Sequence, residues 1–166
     1  MFAFNSDSII KDSHDAHKVS LEINGAVPII STETIYSINT NLNYDFAKHS
    51  ISLGLFYWPL YLDGGLNLQY RYFPNSKLST LKPYFITSFE YVEFSGAQKG
   101  DLLLFTGYGF TLNLGKKIYL NEVNLLGTSG GVLTNIGNNN PDPLVNPMYF
   151  TDHINYQFKL GIGYRF

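Results

Sequence analysis

The chain has 166 residues, enough for one domain, with 16% aromatic and only 14% charged residues, against about 25% charged in an average soluble domain. Its formal net charge of -2 argues against nucleic acid as a partner, and the absence of cysteine excludes disulfides and thiolate metal sites. The longest apolar run, Leu53 to Leu62, is broken by Gly54 and Pro59 and falls far short of the ~20 residues that a membrane-spanning helix requires.

Residues 1–16 mix Ser, Asp, Lys and His14 without periodicity and are expected to form a tail outside the folded body. Met1-Phe-Ala-Phe4 is too short for a hydrophobic signal core, so the numbering reads as that of a mature chain. From Lys18 to Ala26 the pattern changes: Val19, Leu21 and Ile23 alternate with Ser20, Glu22 and Asn24, the period of two of a β-strand. Pro28 to Glu33 reads as a loop. Tyr36 to Phe46 then alternates cleanly, with Ser37, Asn39, Asn41, Asn43 and Asp45 opposite Ile38, Leu42 and Tyr44. After a turn at Ala47-Lys48-His49, a third strand places Ile51, Leu53, Leu55 and Tyr57 on one face. Pro59 to Gly65 reads as a turn-rich loop because of Asp63-Gly64-Gly65.

A fourth strand follows with Leu66, Leu68 and Tyr70 against Asn67, Gln69 and Arg71, and a fifth from about Pro83 to Val92 with Ser88 and Glu90 on its polar face. Ser95 to Asp101 is expected as a loop, then a sixth strand with Leu102, Leu104, Tyr108, Phe110 and Leu112 on its apolar face. Gly115-Lys116-Lys117 turns the chain into a seventh strand, Ile118 to Gly127, whose alternation slips between Leu120 and Val123 and suggests a bulge. Thr128 to Thr151 reads as one long loop. The last strand is the most regular: Ile154, Tyr156, Phe158, Leu160, Ile162, Tyr164 and Phe166 form an unbroken apolar face, backed by Asn155, Gln157, Lys159, Gly161, Gly163 and Arg165.

Eight strands with one apolar face and one thin, glycine-rich polar face predict an all-β fold, an eight-stranded antiparallel up-and-down transmembrane β-barrel over residues 17–166. A soluble barrel or sandwich would need a thicker polar exterior. Tyr and Phe supply 13 residues each, as expected where rings sit at two membrane interfaces. The topology places both termini, with the 1–16 tail, on the periplasmic side of the outer membrane of a Gram-negative bacterium. Acidic loop residues (Glu33, Asp63, Glu93, Asp101, Asp142, Asp152) then gather outside, and Lys48, Lys77, Lys82, Lys116 and Lys117 gather in the periplasmic turns. Both sets read first as solvated rims, although divalent cations bridging the acidic rim to lipopolysaccharide phosphates are also compatible with it. The expected partners are outer-membrane lipids and lipopolysaccharide.

Side chains fill the lumen of so small a barrel and leave no aqueous pore. Glu22, Glu90 and Glu122 are expected inside with Arg71, Lys159 and Arg165 as a charge network, because buried charges must pair. His14, His17, His49 and His153 lack metal-ligand spacing, and neither a metal nor a cofactor is expected. Asp63-Gly64-Gly65 and Asn138 to Asp142 read as turn chemistry before calcium ligands.

Two resemblances add to this reading. The final strand, ending Gly163-Tyr164-Arg165-Phe166, resembles the C-terminal recognition strand of bacterial outer-membrane barrels, whose last residue is typically Phe. It implies that Tyr164 and Phe166 form an assembly signal read by the barrel assembly machinery. Lys48-His-Ser-Ile-Ser52, and Leu81-Lys-Pro-Tyr-Phe85 leading to Phe94-Ser-Gly96, resemble the layout of the lipid A deacylase barrels, which are eight-stranded outer-membrane esterases with a His-x-Ser pair on strand seven. The matching place here reads Gly127-Thr128-Ser129. Ser129 has its counterpart, but glycine stands where the histidine should be, and a serine without a base is a poor nucleophile. His153 is the one histidine expected at the same end, separated from a Ser129 that serves the turn into the long loop.

The expected function is therefore a non-enzymatic outer-membrane barrel, an anchor or accessory subunit of a larger cell-envelope complex with other envelope proteins as partners. The alternatives are a lipid A-modifying, deacylase-like hydrolase and an adhesin-like surface barrel acting through residues 128–151.

Overall fold

A computed structural model of the chain describes residues 17–30, 33–34, 36–60, 62–74, 80–93, 99–133 and 149–166. Its strands are β1 (Lys18–Ile30), the two-residue β2 (Glu33–Thr34), β3 (Ser37–Phe46), β4 (His49–Trp58), β5 (Asp63–Tyr72), β6 (Leu81–Glu93), β7 (Lys99–Asn113), β8 (Ile118–Leu133) and β9 (Tyr149–Arg165). All neighbours pair antiparallel, and β1 pairs with both β3 and β9, so the sheet closes. The small β2 only folds back on the end of β1. The remaining eight strands are the staves of a closed barrel.

Closure satisfies the backbone hydrogen bonds of every stave from its neighbours and leaves no sheet edge. The burial of side chains is inverted relative to a soluble protein. Asn39, Asn41, Asn43, Ser52, Asn67, Gln69 and Ser88 are buried, whereas Ile38, Leu42, Leu53, Leu55, Leu66, Leu68 and Leu160 are exposed. Polar residues face the lumen and apolar ones the surroundings, the arrangement of a barrel whose outer wall meets lipid.

One end carries the tight connections. Ala47-Lys48 joins β3 to β4 with Ala47 in the left-handed region (φ 50°), and residues 114–117 join β7 to β8. Rings collect on the outer wall here. His17, Tyr44, Phe46, His49 and Tyr70 run side by side with centroids 5.4 to 5.9 Å apart. Lys117 Nζ donates to the Tyr164 hydroxyl at 3.1 Å. Amphipathic rings and lysines in a band are what a membrane–water interface selects.

The strands run farther toward the opposite end than the hydrophobic alternation predicts. The expected loop at Pro28 is instead part of β1, with Pro28 opposite Gln157 and Ile30 opposite Asn155. Asp63-Gly64-Gly65, expected as a turn, opens β5 opposite Trp58, Tyr57 and Phe56. Lys99 to Asp101 belong to β7, and of the expected loop at 128–151 residues 128–133 belong to β8 and residues 149–151 to β9, while residues 134–148 lie outside the described residues. The reason is that a ladder of backbone hydrogen bonds continues without an alternating side-chain pattern once the strands leave the apolar band.

Four inward glycines explain much of the lumen's packing. Phe56 pairs with Gly65, Tyr84 with Gly109, Phe105 with Gly127 and Tyr119 with Gly163 across adjacent strands. In each case a Cβ on the glycine would overlap the ring of its partner. The rings lie flat over the vacant Cβ positions, which lets four large aromatics fit inside a narrow barrel.

Candidate functional site

The lumen divides into a polar and an apolar side. On the apolar side Phe56, Trp58, Ile86, Val92, Leu103, Phe105, Val123 and Leu125 form one buried cluster. The polar side is contributed chiefly by β1, β3, β4, β5 and β9 and holds two ion pairs.

Glu22 on β1 is the centre of the first. Arg71 on β5 grips it with both terminal nitrogens, at 2.9 and 2.7 Å. Asn24, Asn121 and the Tyr119 hydroxyl also donate to it, at 2.8, 3.1 and 3.2 Å. Arg71 further donates to Gln69 and lies over the Tyr84 ring, 5.3 Å from its centroid. The Tyr84 hydroxyl donates to Asn121. A fully buried carboxylate is thus met by five donor contacts from four residues, which offsets its desolvation. The second pair joins Glu90 on β6 to Lys159 on β9 at 2.6 Å, with both side chains 1% exposed. Gln157 and Ser88 extend toward the same carboxylate at 3.5 and 3.4 Å. Each pair bridges staves three apart around the barrel.

Arg165 joins neither pair. Its Nη1 donates to Asn113 at 2.7 Å and its guanidinium lies 4.4 Å from the Tyr119 ring centroid, capping the lumen at the end with the tight turns. Asn41, Asn67, Asn155, Ser50 and Ser52 also present buried polar atoms with no partner among the described residues, the kind of group that ordered water satisfies in polar interiors. The arrangement can brace opposite walls and hold water. Among the described residues, no group of three or more His, Cys, Asp or Glu side chains is placed to hold a metal.

Glu122 corrects the sequence reading. The alternation of β8 does not slip: Tyr119, Asn121, Val123 and Leu125 are buried in turn, and the register is regular from Ile118 to Thr128. The irregularity lies instead between Thr128 and Gly130. What slipped is the chemistry. Apolar Val123 and Leu125 complete the apolar side of the lumen, so Glu122 and Asn124 fall on the outer wall. Asn124 donates to Glu122 at 3.1 Å and accepts from the Tyr156 hydroxyl at 2.6 Å. Sequence inspection misses this site because polar residues on β8 are assumed to mark the lumen. Its signal is that Tyr119 and Glu122 cannot share a face at odd spacing.

The segments that resemble the deacylase layout separate. His49 stacks in the outer ring band, with Nδ1 2.6 Å from the Tyr70 hydroxyl, while Ser50 and Ser52 are buried in the lumen. Tyr84 is inside and Phe85 outside, and residues 94–96 lie outside the described residues. The backbone of Ser129 is part of β8 opposite Leu103, not of a turn. Across from it, β9 is paired at Ile154 and Phe150, so residues 151–153 run alongside it. The side chains of Ser129 and His153 lie outside the described residues. Tyr164 and Phe166 sit on the outer wall as an edge-to-face pair with centroids 5.5 Å apart, and the Phe166 N–H donates to the Val19 carbonyl at 3.1 Å.

No protein family's sequence profile matches the chain, and no curated protein sequence matches it. Solved structures do share its fold. A transmembrane β-barrel designed de novo is similar with a TM-score of 0.58 and 11% identity, over 90% of this chain and 95% of that one. Neisserial surface protein A is similar with a TM-score of 0.51 and 11% identity, over 90% of this chain and 97% of that one. At this identity the likeness concerns the fold: a closed, eight-stranded antiparallel barrel of the transmembrane type.

Proposed function

We propose that the chain is a non-enzymatic outer-membrane barrel of a Gram-negative envelope, with both termini periplasmic, serving as an anchor or accessory subunit of a larger envelope complex. The observation that carries this reading is the lumen braced by Glu22–Arg71 and Glu90–Lys159. Ion pairs that tie staves three apart across so narrow a barrel suit a rigid plug, and they leave the outer wall and the two rims as its working surfaces. Lipopolysaccharide and phospholipids surround the wall, and the barrel assembly machinery inserts it through the strand ending in Tyr164 and Phe166. Purification from native membranes in mild detergent tests the reading. A stoichiometric complex containing the barrel is expected, and a lone barrel would refute it. A tag within residues 134–148 should be reachable on intact cells, while one at residue 5 should not.

A second reading, a lipid A-modifying hydrolase, is favoured by one observation: the register that runs residues 151–153 alongside Ser129. Lipid A mass spectra from cells carrying Ser129→Ala decide it. An unchanged acyl pattern is expected, and a shifted one would establish the hydrolase.

A further inference from the structure

The outer wall is not uniform around the barrel. On β1, β3, β4 and β5 the exposed side chains described between the strand ends are Leu, Ile, Val and Tyr, apart from Thr40, with Lys18 exposed at the start of β1. On β8, diametrically across from β4, and on the adjacent β9, the chain Tyr156–Asn124–Glu122 sits on the same outward wall. Glu122 and Asn124 lie four and six residues from the start of β8 at Ile118. At ~3.3 Å per residue and a strand tilt of ~40° this is about 10–15 Å into an apolar band ~25 Å tall. Phe110 and Leu160 flank Glu122 on the adjacent strands. Its carboxylate accepts from the Asn124 amide and takes part in neither of the lumen ion pairs. Farther along the same face a groove of about 340 Å³ opens between Thr87, Leu104, Thr106, Leu126 and Ile154. A carboxylate at this depth is poorly solvated by acyl chains and calls for a cationic partner.

We propose that this face, centred on Glu122, docks a membrane-embedded segment of a different protein that presents a lysine or arginine at the depth of Glu122, with a side chain of that segment filling the groove. Charge complementarity selects this occupant over a second copy. Two copies inserted in the same direction are related by an axis along the membrane normal, which would bring Glu122 against Glu122 at equal depth. Lipid alone supplies no cation there. The proposal rests on the accessory-subunit reading and names the surface that reading leaves open.

A photoreactive residue at Leu126 in the native host, compared with one at the similarly exposed Leu53 on the opposite wall, tests it. The expected result is an adduct to one protein from Leu126 and none from Leu53, mapped to a membrane-spanning segment bearing Lys or Arg. Glu122→Leu should abolish that adduct, and Glu122→Lys combined with Glu in place of the partner's cation should restore it. Purified Glu122→Leu barrel should unfold in vesicles at the same or a higher denaturant concentration than the parent, which separates lost docking from lost folding. Adducts to lipid only, to a second copy, or equally from both positions would overturn the proposal. A complex that co-purifies and survives Glu122→Leu would overturn it while leaving the accessory reading intact. A barrel that purifies alone would remove both.

Discussion

Glu22 and Arg71, on staves three apart, meet across the lumen in a two-pronged bridge with nitrogen–oxygen distances of 2.9 and 2.7 Å. Removing one member leaves a buried charge without its counterion, whereas removing both leaves no uncompensated charge. Arg71→Leu alone should therefore destabilise the barrel by about 3–5 kcal/mol, and Glu22→Leu combined with Arg71→Leu should recover a substantial part of that loss. Urea unfolding of the vesicle-inserted barrel, read by tryptophan emission of Trp58, measures the cycle.

Lumen and lipid faces of β9 should respond to charge in opposite ways. Leu160 is 57% exposed on the outer wall, and Leu160→Arg should cost about 2–4 kcal/mol. Lys159→Met next to it strands Glu90, and Glu90→Gln should relieve that defect while leaving the Leu160→Arg defect untouched. Refolding yields and unfolding midpoints of the two pairs distinguish the faces.

The glycines beneath rings give a third test. Gly109→Ala forces a methyl group into the Tyr84 ring, and Gly163→Ala forces one into the Tyr119 ring. Each should destabilise by about 1–3 kcal/mol through overpacking. Shortening Tyr119 to Ser in the Gly163→Ala barrel should make the glycine substitution nearly neutral, again by denaturant unfolding.

The strands, their order and the face each residue takes are legible in the sequence wherever apolar and polar residues alternate, as from Ser37 to Tyr57 and from Ile154 to Arg165. Two things are not. Strand ends beyond the apolar band, such as Asp63 and Lys99, are held by backbone pairing that leaves no side-chain period. The lumen has an apolar side, so Val123 and Leu125 invert the pattern of β8 and disguise Glu122 as a lumen residue. The charges Glu22, Arg71, Glu90 and Lys159 stand out individually as inward-facing. Which acid meets which base depends on strand stagger, and that stagger is set by the joint register of several strands rather than by any one segment.

Assembly should separate from stability at the terminus. Phe166 is 73% exposed on the outer wall and contributes one backbone bond to Val19. Deleting it should lower the amount of barrel found in the outer membrane of growing cells while shifting the unfolding midpoint of refolded protein by less than ~0.5 kcal/mol, the range of surface substitutions. Normal abundance in cells would count against a role in assembly.

The lack of cysteine makes the inside-out wall of the barrel directly measurable. Single cysteines placed in turn from Asn155 to Tyr164, each carrying a nitroxide in a vesicle-inserted barrel, report local oxygen accessibility by electron paramagnetic resonance. The expected profile alternates with a period of two, high at 156, 158, 160, 162 and 164 and low at 155, 157, 159, 161 and 163. A profile that is flat, or high at the odd positions, would contradict a lipid-facing apolar wall around a polar lumen.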